Sequence, residues 1–391
     1  MIPLMKNAFI NEGETKVALA EFVMRANKFS MDVECRAFER TFAEFQKRTD
    51  AVLFNSGGSA NLAMLQSLKN LGRLKTGDKV GFSALTWSTN TMPIIQLGLV
   101  PVAVDINRNT LNVMSENLAA TLSSHDLKAF FVTNVLGFAG DLMSIRKLCN
   151  ERGVIMIEDN CESLGTRVSG DLTGNFGEMA SFSFFVAHHM STIEGGMVVT
   201  DDESLSEMLR ITRANGWDRN LTTDQQVKWR SAHGVTSEME AKYCFYDLGF
   251  NFRPTEITGF LGNLQIRYLP QNIAMRSTNY HRLSEITRMN EDLLPVETSH
   301  LEFVSNFAYP VVCRSRGLRE RYASRFSEAG VEIRPMIAGN IQNQPFYQKY
   351  VGGDEPLPDT DFVDQNGFYF GNYPELTEAD LQTLEKCLRK G

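Results

Sequence analysis

Short apolar runs alternate with amphipathic segments from the N-terminus to about Pro254. The runs are bounded by Pro, Asp or Gly, a pattern that predicts strands buried on both faces. These predicted strands are residues 52–55, 79–82, 100–104, 129–133, 154–157, 182–185 and 197–200. Segment 60–71 has leucines at helical spacing, and similar helical segments lie between the other runs. Buried strands interleaved with helices predict an α/β domain with a mostly parallel sheet.

The pattern changes after Pro254 and predicts a smaller α+β domain. Helices are predicted at 257–269, 275–288, 318–329 and 378–389, with strands at 303–313 and 331–336. Segment 350–361, rich in Gly, Pro and Asp, is predicted to be an exposed loop. We therefore expect a large domain at 1–255 and a small domain at 256–391. The N-terminal residues, to about residue 30, are expected to pack on the small domain.

The composition and charge of the chain argue against several classes of function. The 391 residues carry a net charge of -8 and are 43% hydrophobic, as in a globular protein without a general basic surface for nucleic acid. The most apolar run, 94–104, is too short for a membrane span, and the N-terminus does not resemble a signal peptide. The six cysteines include no C-x-x-C pair, so we expect inert thiols in a reducing cytoplasm.

The first candidate for chemistry is segment 55–61, NSGGSAN, where a predicted strand ends and a helix begins. Exposed amides and the helix dipole at such a turn favour a phosphate group. Ordinary strand–helix turns also contain Gly and Ser, so this motif alone leaves both interpretations open.

The second candidate, segment 158–163 (EDNCES), follows a predicted strand of the sheet. Ligands of open α/β sheets bind at the carboxyl ends of the strands. Asp159 in that place can pair with a protonated heterocyclic nitrogen. Alternatively, Asp159 or Asn160 caps a helix.

The third candidate is segment 183–196, which contains the adjacent pair His188 and His189 in a chain with 6 histidines. Neighbouring side chains point apart on a strand and lie about 100° apart on a helix, so the pair is not expected to chelate one ion. No other ligand set accompanies them, and we expect no metal.

The fourth candidate is segment 249–256, GFNFRPTE, which places Asn251 and Arg253 on one extended stretch. Together these side chains could reach an anion. The alternative is a loop that leads into a helix, with Pro254 near the helix start.

In this order and spacing, the four motifs resemble the nucleotide-sugar aminotransferase family of vitamin B6 enzymes, over essentially the whole chain. The resemblance implies the fold-type I architecture of pyridoxal-phosphate-dependent transferases. It also implies that the turn with Gly58 and Ser59 holds the cofactor phosphate together with Ser183. Asn251 would reach that phosphate across the interface of a homodimer.

The resemblance also implies three contacts to the cofactor ring. Trp87, in the segment LTWST, would stack on the pyridine ring. Asp159 would pair with the ring nitrogen and keep it protonated. Glu162, a position that is commonly Gln in the family, would lie near the ring hydroxyl.

The chain departs from the family's aminotransferases at His188, five residues after Ser183. A lysine at this position binds the cofactor covalently in those enzymes, whereas here no lysine occurs between Lys147 and Lys228. Imidazole can shuttle a proton as general base but cannot form the covalent link. The replacement marks the family's 3-dehydratase branch and implies non-covalently bound pyridoxamine 5'-phosphate, which becomes pyridoxal 5'-phosphate in the reaction.

Four segments, SALTWSTNT, EDNCESLG, HHMSTIEGG and RANGWDRN, resemble the branch that takes GDP-linked sugars. A second His-bearing branch acts on CDP sugars with an iron–sulfur cluster, and the cysteines here lack the close C-x-C for one. The resemblance therefore implies C3 deoxygenation of a nucleotide-linked 4-keto-6-deoxyhexose, expected to be GDP-4-keto-6-deoxymannose, with L-glutamate restoring the cofactor. Such enzymes serve deoxysugar biosynthesis, for example of colitose in lipopolysaccharide O-antigens.

Several assignments remain open in the sequence. His189 either orients His188 or is a packed neighbour. Arg219, Arg253 and Arg334 are candidates for the sugar diphosphate or the glutamate carboxylates, because guanidinium forks suit those anions, or else they form surface ion pairs.

Two other functions compete with the dehydratase. An ordinary sugar aminotransferase would need a lysine, and the gap between Lys147 and Lys228 speaks against it. A non-catalytic B6-binding protein would be expected to lose Trp87, Asp159 or Ser183, all of which are present.

Overall fold

Two β-sheets and the helices around them account for most of the computed structural model, which describes residues 1–353 and 355–390. Asp354, in the predicted loop, and Gly391, at the end of the predicted small domain, lie outside the described residues. The strands are β1 (Asp50–Phe54), β2 (Lys79–Ser83), β3 (Val100–Val104), β4 (Leu127–Thr133), β5 (Ile155–Asp159), β6 (Arg167–Val168), β7 (Asp171–Leu172), β8 (Met179–Ser183), β9 (Gly196–Thr200), β10 (Ala308–Val312), β11 (Ile333–Pro335) and β12 (Gly367–Gly371).

The helices flank the sheets and alternate with the strands along the N-terminal part of the chain. They are α1 (Glu12–Arg25), α2 (Val33–Gln46), α3 (Gly57–Asn70), α4 (Ser88–Gln96), α5 (Ser115–Ser124), α6 (Leu142–Arg152), α7 (Glu203–Arg213), α8 (Thr223–Ala232), α9 (Glu238–Ala241), α10 (Glu256–Gln265), α11 (Leu269–Arg288), α12 (Arg316–Glu328), α13 (Pro345–Tyr350), α14 (Pro358–Asn366) and α15 (Glu378–Leu388).

The central sheet has the strand order β1-β9-β8-β5-β4-β2-β3. The pairs from β8 to β3 are parallel, whereas β9 runs antiparallel to both β8 and β1. Its strands are buried on both faces, as their near-continuous apolar runs require. The prediction of an α/β fold with a mostly parallel sheet is confirmed.

A second sheet, with the order β10-β12-β11, is antiparallel throughout. Ile2 pairs with Val331 beside it, and the Leu4 amide donates to Glu332. The first residues of the chain thus lie on this C-terminal sheet, while α1 and α2 pack on α10. A domain boundary between residues 255 and 256 remains a proposal.

Several predicted elements have different bounds in the structure. The strand predicted at 303–313 is formed only by β10, because residues 303–306 bond to segment 166–167 and to Leu136 instead. Helix α11 begins six residues before the predicted start, with Pro270 in its first turn. The predicted loop 350–361 is wrong from Pro358 onward, where Pro in the first turn opens α14.

A buried ion pair fastens α7 and α2 to the edge of the central sheet. Arg213 is fully buried, and its Nη1 donates to Glu39 Oε1 at 2.6 Å and to the Leu53 carbonyl at 2.7 Å. The same carboxylate oxygen accepts the Leu53 amide at 2.8 Å. The pair therefore holds β1, the strand that leads into the NSGGSAN turn.

We expect Glu39→Gln to destabilise the protein by about 3–5 kcal/mol, because it leaves the Arg213 charge buried without a counter-ion. Urea unfolding at fixed protein concentration measures the change. The matched control is Asp126→Asn, which breaks an exposed pair with Lys128 and should cost less than about 1 kcal/mol. Equal losses in the two variants would contradict this account.

Candidate active site

A cavity of about 460 Å³ lies at the carboxyl edge of the central sheet. Its walls come from the segments that follow β1, β2, β4, β5 and β8, as expected for an open α/β sheet. The second sheet and the N-terminus close the other side. The lining includes Leu4, Gly57, Gly58, Trp87, Asn90, Asn134, Asp159, Cys161, Glu162, Ser183, His188, Glu194, Phe307, Ile337 and Tyr369.

The turn between β1 and α3 forms an anion cradle. Ser56 is the N-cap of α3, and its Oγ accepts the Ser59 amide at 3.1 Å. The amides of Gly57 and Gly58 come first in the helix, where amides have no partner within it. A Cβ on Gly57 would lie 2.7 Å from the Cβ of Ser183, so only glycine lets the turn approach that side chain. Free amides and a hydroxyl thus meet at a helix N-terminus, which suits a phosphate.

The Asp159 carboxylate lies at the end of β5 and is 4% exposed. Its Oδ2 accepts from Nδ2 of Asn61 and of Asn90, each at 2.8 Å, and its Oδ1 accepts the Cys161 amide at 2.9 Å. Three converging N–H donors stabilise a negative charge. Turns rather than a helix follow β5, so the alternative in which Asp159 or Asn160 caps a helix is wrong.

Glu162 lines the same cavity and is held by a main-chain donor. Its Oε2 accepts the Leu136 amide at 2.7 Å. Burial raises the pKa of Glu162 to about 8. The hydrogen bond from the Leu136 amide lowers this pKa, and the negative charge of Asp159 adds a smaller increase. The carboxyl is therefore neutral below that pH and carries a proton that it can donate within the cavity.

His188 lies in the irregular segment between β8 and β9, where its amide donates to the Phe185 carbonyl at 2.9 Å. Its ring centroid is 5.3 Å from that of Phe307 and 6.1 Å from that of Phe185. Burial lowers the pKa of His188 to about 4, although the Asp159 carboxylate works in the opposite direction. Neutral imidazole, the form that can accept a proton, therefore prevails near neutral pH.

His189 points away from the cavity. The residue is 1% exposed, and its Nε2 lies 3.0 Å from the Ser305 carbonyl. Burial holds the pKa of His189 well below its ordinary value. Its ring nitrogens make no hydrogen bond to His188 in the described residues, so of the two alternatives the structure supports the packed neighbour.

Two large side chains stand at the mouth of the cavity. Trp87 precedes α4 and is 59% exposed, and Phe185 is 42% exposed. Exposed aromatic faces of this size favour a planar or apolar ligand group.

The cavity thus brings together six of the predicted site residues: Gly58, Trp87, Asp159, Glu162, Ser183 and His188. It does not include Ser59, whose hydroxyl accepts from Ser56. Asn251 is exposed outside it and accepts from Arg253 Nε at 3.0 Å.

The other predicted arginines also lie outside the cavity of their own chain. Arg219 stacks over the Trp217 ring at 3.7 Å. Arg334 pairs with Glu332 at 2.6 Å, as a surface ion pair would, and lies opposite Tyr369 in the β11–β12 ladder. Because Tyr369 lines the cavity, Arg334 stands near its rim.

Sequence reasoning missed the roles of Asn61 and Asn90. Both occur in the motifs that drew attention, at the end of NSGGSAN and within SALTWSTNT, and both are fully buried. The available signal in the sequence was an asparagine within an otherwise small or apolar helical segment, because such a side chain needs polar partners when it is buried. Leu4, Phe307, Ile337 and Tyr369 carry no such signal, because only folding brings these distant parts of the chain to the cavity.

The described part of the chain contains neither a metal site nor a membrane helix. Within residues 1–353 and 355–390, no group of three or more His, Cys, Asp or Glu side chains is placed to hold a metal ion. None of the helices described there combines the length and apolar character needed to cross a bilayer.

Comparison with known families identifies the class of protein. The model of the DegT/DnrJ/EryC1/StrS aminotransferase family matches residues 11–389, and the chain belongs to this family. Solved structures agree on the fold: an aminotransferase from Psychrobacter cryohalolentis superposes with a TM-score of 0.85 at 22% identity, covering 96% of this chain and 95% of its own. The predicted fold-type I architecture is confirmed.

More similar relatives carry a more specific description. GDP-4-keto-6-deoxy-D-mannose 3-dehydratases from Yersinia pseudotuberculosis and Escherichia coli O55:H7 are 31% and 33% identical to the chain. The alignments cover 96% of both chains in the first case, and 94% of this chain and 95% of the relative in the second. A crystal structure of such a dehydratase with a trapped PLP-glutamate geminal diamine has a TM-score of 0.91 at 30% identity, over 100% of both chains.

We expect Glu162→Gln to flatten the pH dependence of stability in the apoprotein. The folded state binds a proton at Glu162 that the unfolded chain releases near its ordinary pKa. The wild type therefore loses stability as the pH rises from about 4.5 to about 8. Glutamine keeps the contact to Leu136 without titrating, so the variant should avoid a loss on the order of 5 kcal/mol.

Urea unfolding between about pH 5 and pH 8.5 measures this difference. Glu116→Gln, at an exposed position in α5, is the control and should leave the profile unchanged. Parallel profiles for wild type and Glu162→Gln would show that Glu162 is ionised throughout.

Proposed function

We propose that the protein is a pyridoxamine-phosphate-dependent 3-dehydratase of a nucleotide-linked 4-keto-6-deoxyhexose. The observation that carries the proposal is the pairing, in one cavity, of a fixed carboxylate with a neutral imidazole where an aminotransferase needs an amine. No lysine is among the described residues that line the cavity. The likeness to GDP-4-keto-6-deoxy-D-mannose 3-dehydratases supports GDP-4-keto-6-deoxymannose as the substrate.

The cavity residues fit the cofactor. The amides of Gly57 and Gly58, with the Ser183 hydroxyl, form a cradle for its phosphate. When bound, pyridoxamine phosphate supplies an amine that condenses with the sugar's C4 ketone and a ring that accepts electrons. Trp87 offers an aromatic face to that ring, and Glu162, neutral at physiological pH, can donate a hydrogen bond to its hydroxyl.

Asp159 supplies the negative charge that a protonated pyridine nitrogen requires. The carboxylate is fixed by Asn61, Asn90 and the Cys161 amide, so it does not have to reorganise when the ligand binds. Removal of one preorganised group of this kind commonly lowers the reaction rate by about 10²–10³-fold.

His188 is the base and then the acid in this proposal. Its neutral imidazole would take up the proton that the bound cofactor releases and would deliver it to the C3 hydroxyl, which would leave as water. Because imidazole cannot bind the cofactor covalently, the cofactor stays non-covalently bound. Without a lysine to form that covalent link, we expect departure of the C3 hydroxyl in place of transamination.

L-Glutamate is our proposed amino donor for the next cycle, as the adduct in the related dehydratase suggests. Arg219, Arg253 and Arg334 remain candidates for its carboxylates or for the sugar diphosphate. Arg334 is the candidate nearest the cavity of its own chain, through Tyr369. We place the enzyme in the reducing cytoplasm, since all six cysteines are described and none is paired.

We further propose a homodimer in which the site is shared. Asn251 is exposed and does not line the cavity of its own chain. Its segment nevertheless runs beside the phosphate cradle, because the Asn55 amide donates to the Phe252 carbonyl at 3.0 Å. A second copy related by a two-fold axis would bring its Asn251 toward the cradle of the first.

His188→Asn should lower C3 deoxygenation by at least about 10²-fold, because asparagine is no base. Cofactor binding should persist, since the phosphate and ring contacts come from other residues. The assay is mass spectrometry of products from GDP-4-keto-6-deoxymannose and glutamate. His281→Asn, an exposed histidine on α11, is the matched control and should keep full activity.

His188→Lys adds a test of the binding mode. Borohydride should leave no pyridoxyl group on the wild type, but should fix one on Lys at this position. Full-rate deoxygenation by His188→Asn would remove His188 from the mechanism. Amination of the sugar by the wild type would instead assign an aminotransferase, and no turnover with bound cofactor would assign a non-catalytic protein.

The shared site predicts complementation between two inactive chains. Asn251→Ala and His188→Asn should each be poorly active as homodimers. In a mixed dimer, one site combines His188 of the first chain with Asn251 of the second, and is intact. Co-expression of the two chains should therefore restore roughly a quarter of the wild-type activity, given random pairing. No recovery in purified mixed dimers would show that Asn251 does not act across the interface.

A further inference from the structure

Arg276, on α11, is a buried cation behind the active-site cavity with no assigned role in the proposed function. The residue is 3% exposed. Among residues 1–353 and 355–390, no carboxylate lies within 4.0 Å of its nitrogens, and burial lowers the pKa of Arg276 to about 10 although the charge of Glu375 raises it. Burying an unpaired guanidinium costs stability. Its placement beside a cavity therefore indicates a role in the site.

The hydrogen-bond partners of Arg276 are neutral oxygens. Its Nη1 donates to the carbonyls of Phe307, at 2.8 Å, and of Asn372, while Nε donates to Asn272 Oδ1 at 2.8 Å. Its Nη2 contacts the His188 carbonyl at 3.4 Å. Two of these partners, Phe307 and His188, line the cavity with their rings 5.3 Å apart. One guanidinium thus contacts the main-chain carbonyls of both cavity residues, Phe307 and His188.

Asn272 extends this arrangement by one helical turn. Its Nδ2 donates to the His189 carbonyl, so α11 holds two consecutive carbonyls of the segment between β8 and β9. That segment belongs to no helix or strand around His188. The position of the imidazole therefore depends on these side chains.

We propose that Arg276 is a positioning residue, whose guanidinium fixes the main chain of His188 and sets a positive charge close to that residue, where it opposes protonation of the imidazole. The catalytic consequence rests on the proposed function. The two physical claims, a fixed main chain and a neutral imidazole, concern the protein alone.

The charges around His188 act in opposite directions. Burial is the largest cause of its lowered pKa; the Asp159 carboxylate raises the pKa and Arg276 lowers it. Arg276 thus offsets the effect of the Asp159 charge on His188. The proposed function needs that charge for the protonated pyridine nitrogen. The titratable and charged groups that face His188 from the packed elements are Asp159, Cys161, Glu162, His189, Glu194, Arg276 and Tyr369.

An NMR titration of the apoprotein, labelled with ¹³C at histidine Cε1, tests the charge. The chain has 6 histidines, and His188→Asn identifies the signal. In Arg276→Met the pKa of His188 should rise by about one pH unit or more. Arg282→Met is the control on the same helix; its guanidinium pairs with Glu378 and Glu385 instead, and the titration should not move.

Asn272→Asp repeats the test without removing the guanidinium. The new carboxylate accepts from Arg276 Nε and neutralises the charge in place, but it cannot donate to the His189 carbonyl as Asn272 Nδ2 does. This variant should also raise the pKa of His188, and it decides the question if Arg276→Met does not fold. An unmoved His188 titration in the folded variants would overturn the electrostatic claim.

Arg276→Lys separates position from charge. Lysine keeps the charge but cannot hold the carbonyls of His188, Phe307 and Asn372 together. The pKa of His188 should stay low, while kcat falls about tenfold to a hundredfold with KM for the sugar unchanged. A wild-type kcat would overturn the positional claim. A wild-type protein that turns over no nucleotide sugar would defeat the proposed function, yet the titration would still decide the electrostatic claim.

Discussion

The need to keep a carboxylate charged in a buried place governs the arrangement of this site. Asp159 is almost inaccessible, and a charge there is tolerated only because Asn61, Asn90 and the Cys161 amide converge on it. These donors follow three different strands of the central sheet. The phosphate cradle begins the helix that carries Asn61, and Trp87 directly precedes the helix that carries Asn90, so satisfying the carboxylate also places the groups that we propose for cofactor binding.

Two other ionisable groups of the cavity, Glu162 and His188, are kept neutral by burial. Glu162 has a raised pKa and His188 a lowered one, so one carries a proton and the other lacks it near neutral pH. In the proposed function, the fixed charge of Asp159, the neutral acid Glu162 and the neutral base His188 separate the roles of electron sink and proton carrier. The change from an amine to an imidazole at position 188 then decides, in that proposal, between two chemistries on one fold.

The central sheet was predicted well from the sequence, because strands that are buried on both faces have short continuous apolar segments that are easy to recognise. The C-terminal part was predicted less well: residues 303–306 are apolar or polar without alternation, and their hydrogen bonds go to distant loops. Six cavity residues near the ends of β1, β2, β5 and β8 were found through their motifs, whereas Asn134, which follows β4, was not. Leu4, Phe307, Ile337, Tyr369 and Arg276 were not, since their approach to the cavity depends on tertiary packing between distant segments.

The docking of the N-terminus on the second sheet has a consequence for how the protein is made. Leu4 packs over Gly371, where a Cβ would lie 2.1 Å from the Leu4 carbonyl oxygen, and both Leu4 and Tyr369 line the cavity. During synthesis Leu4 leaves the ribosome long before Tyr369 and Gly371 do. The central sheet can form while the chain is growing, but the cavity cannot close until Tyr369 and Gly371 have emerged. Chains that end before Tyr369 should therefore be released with an open pocket.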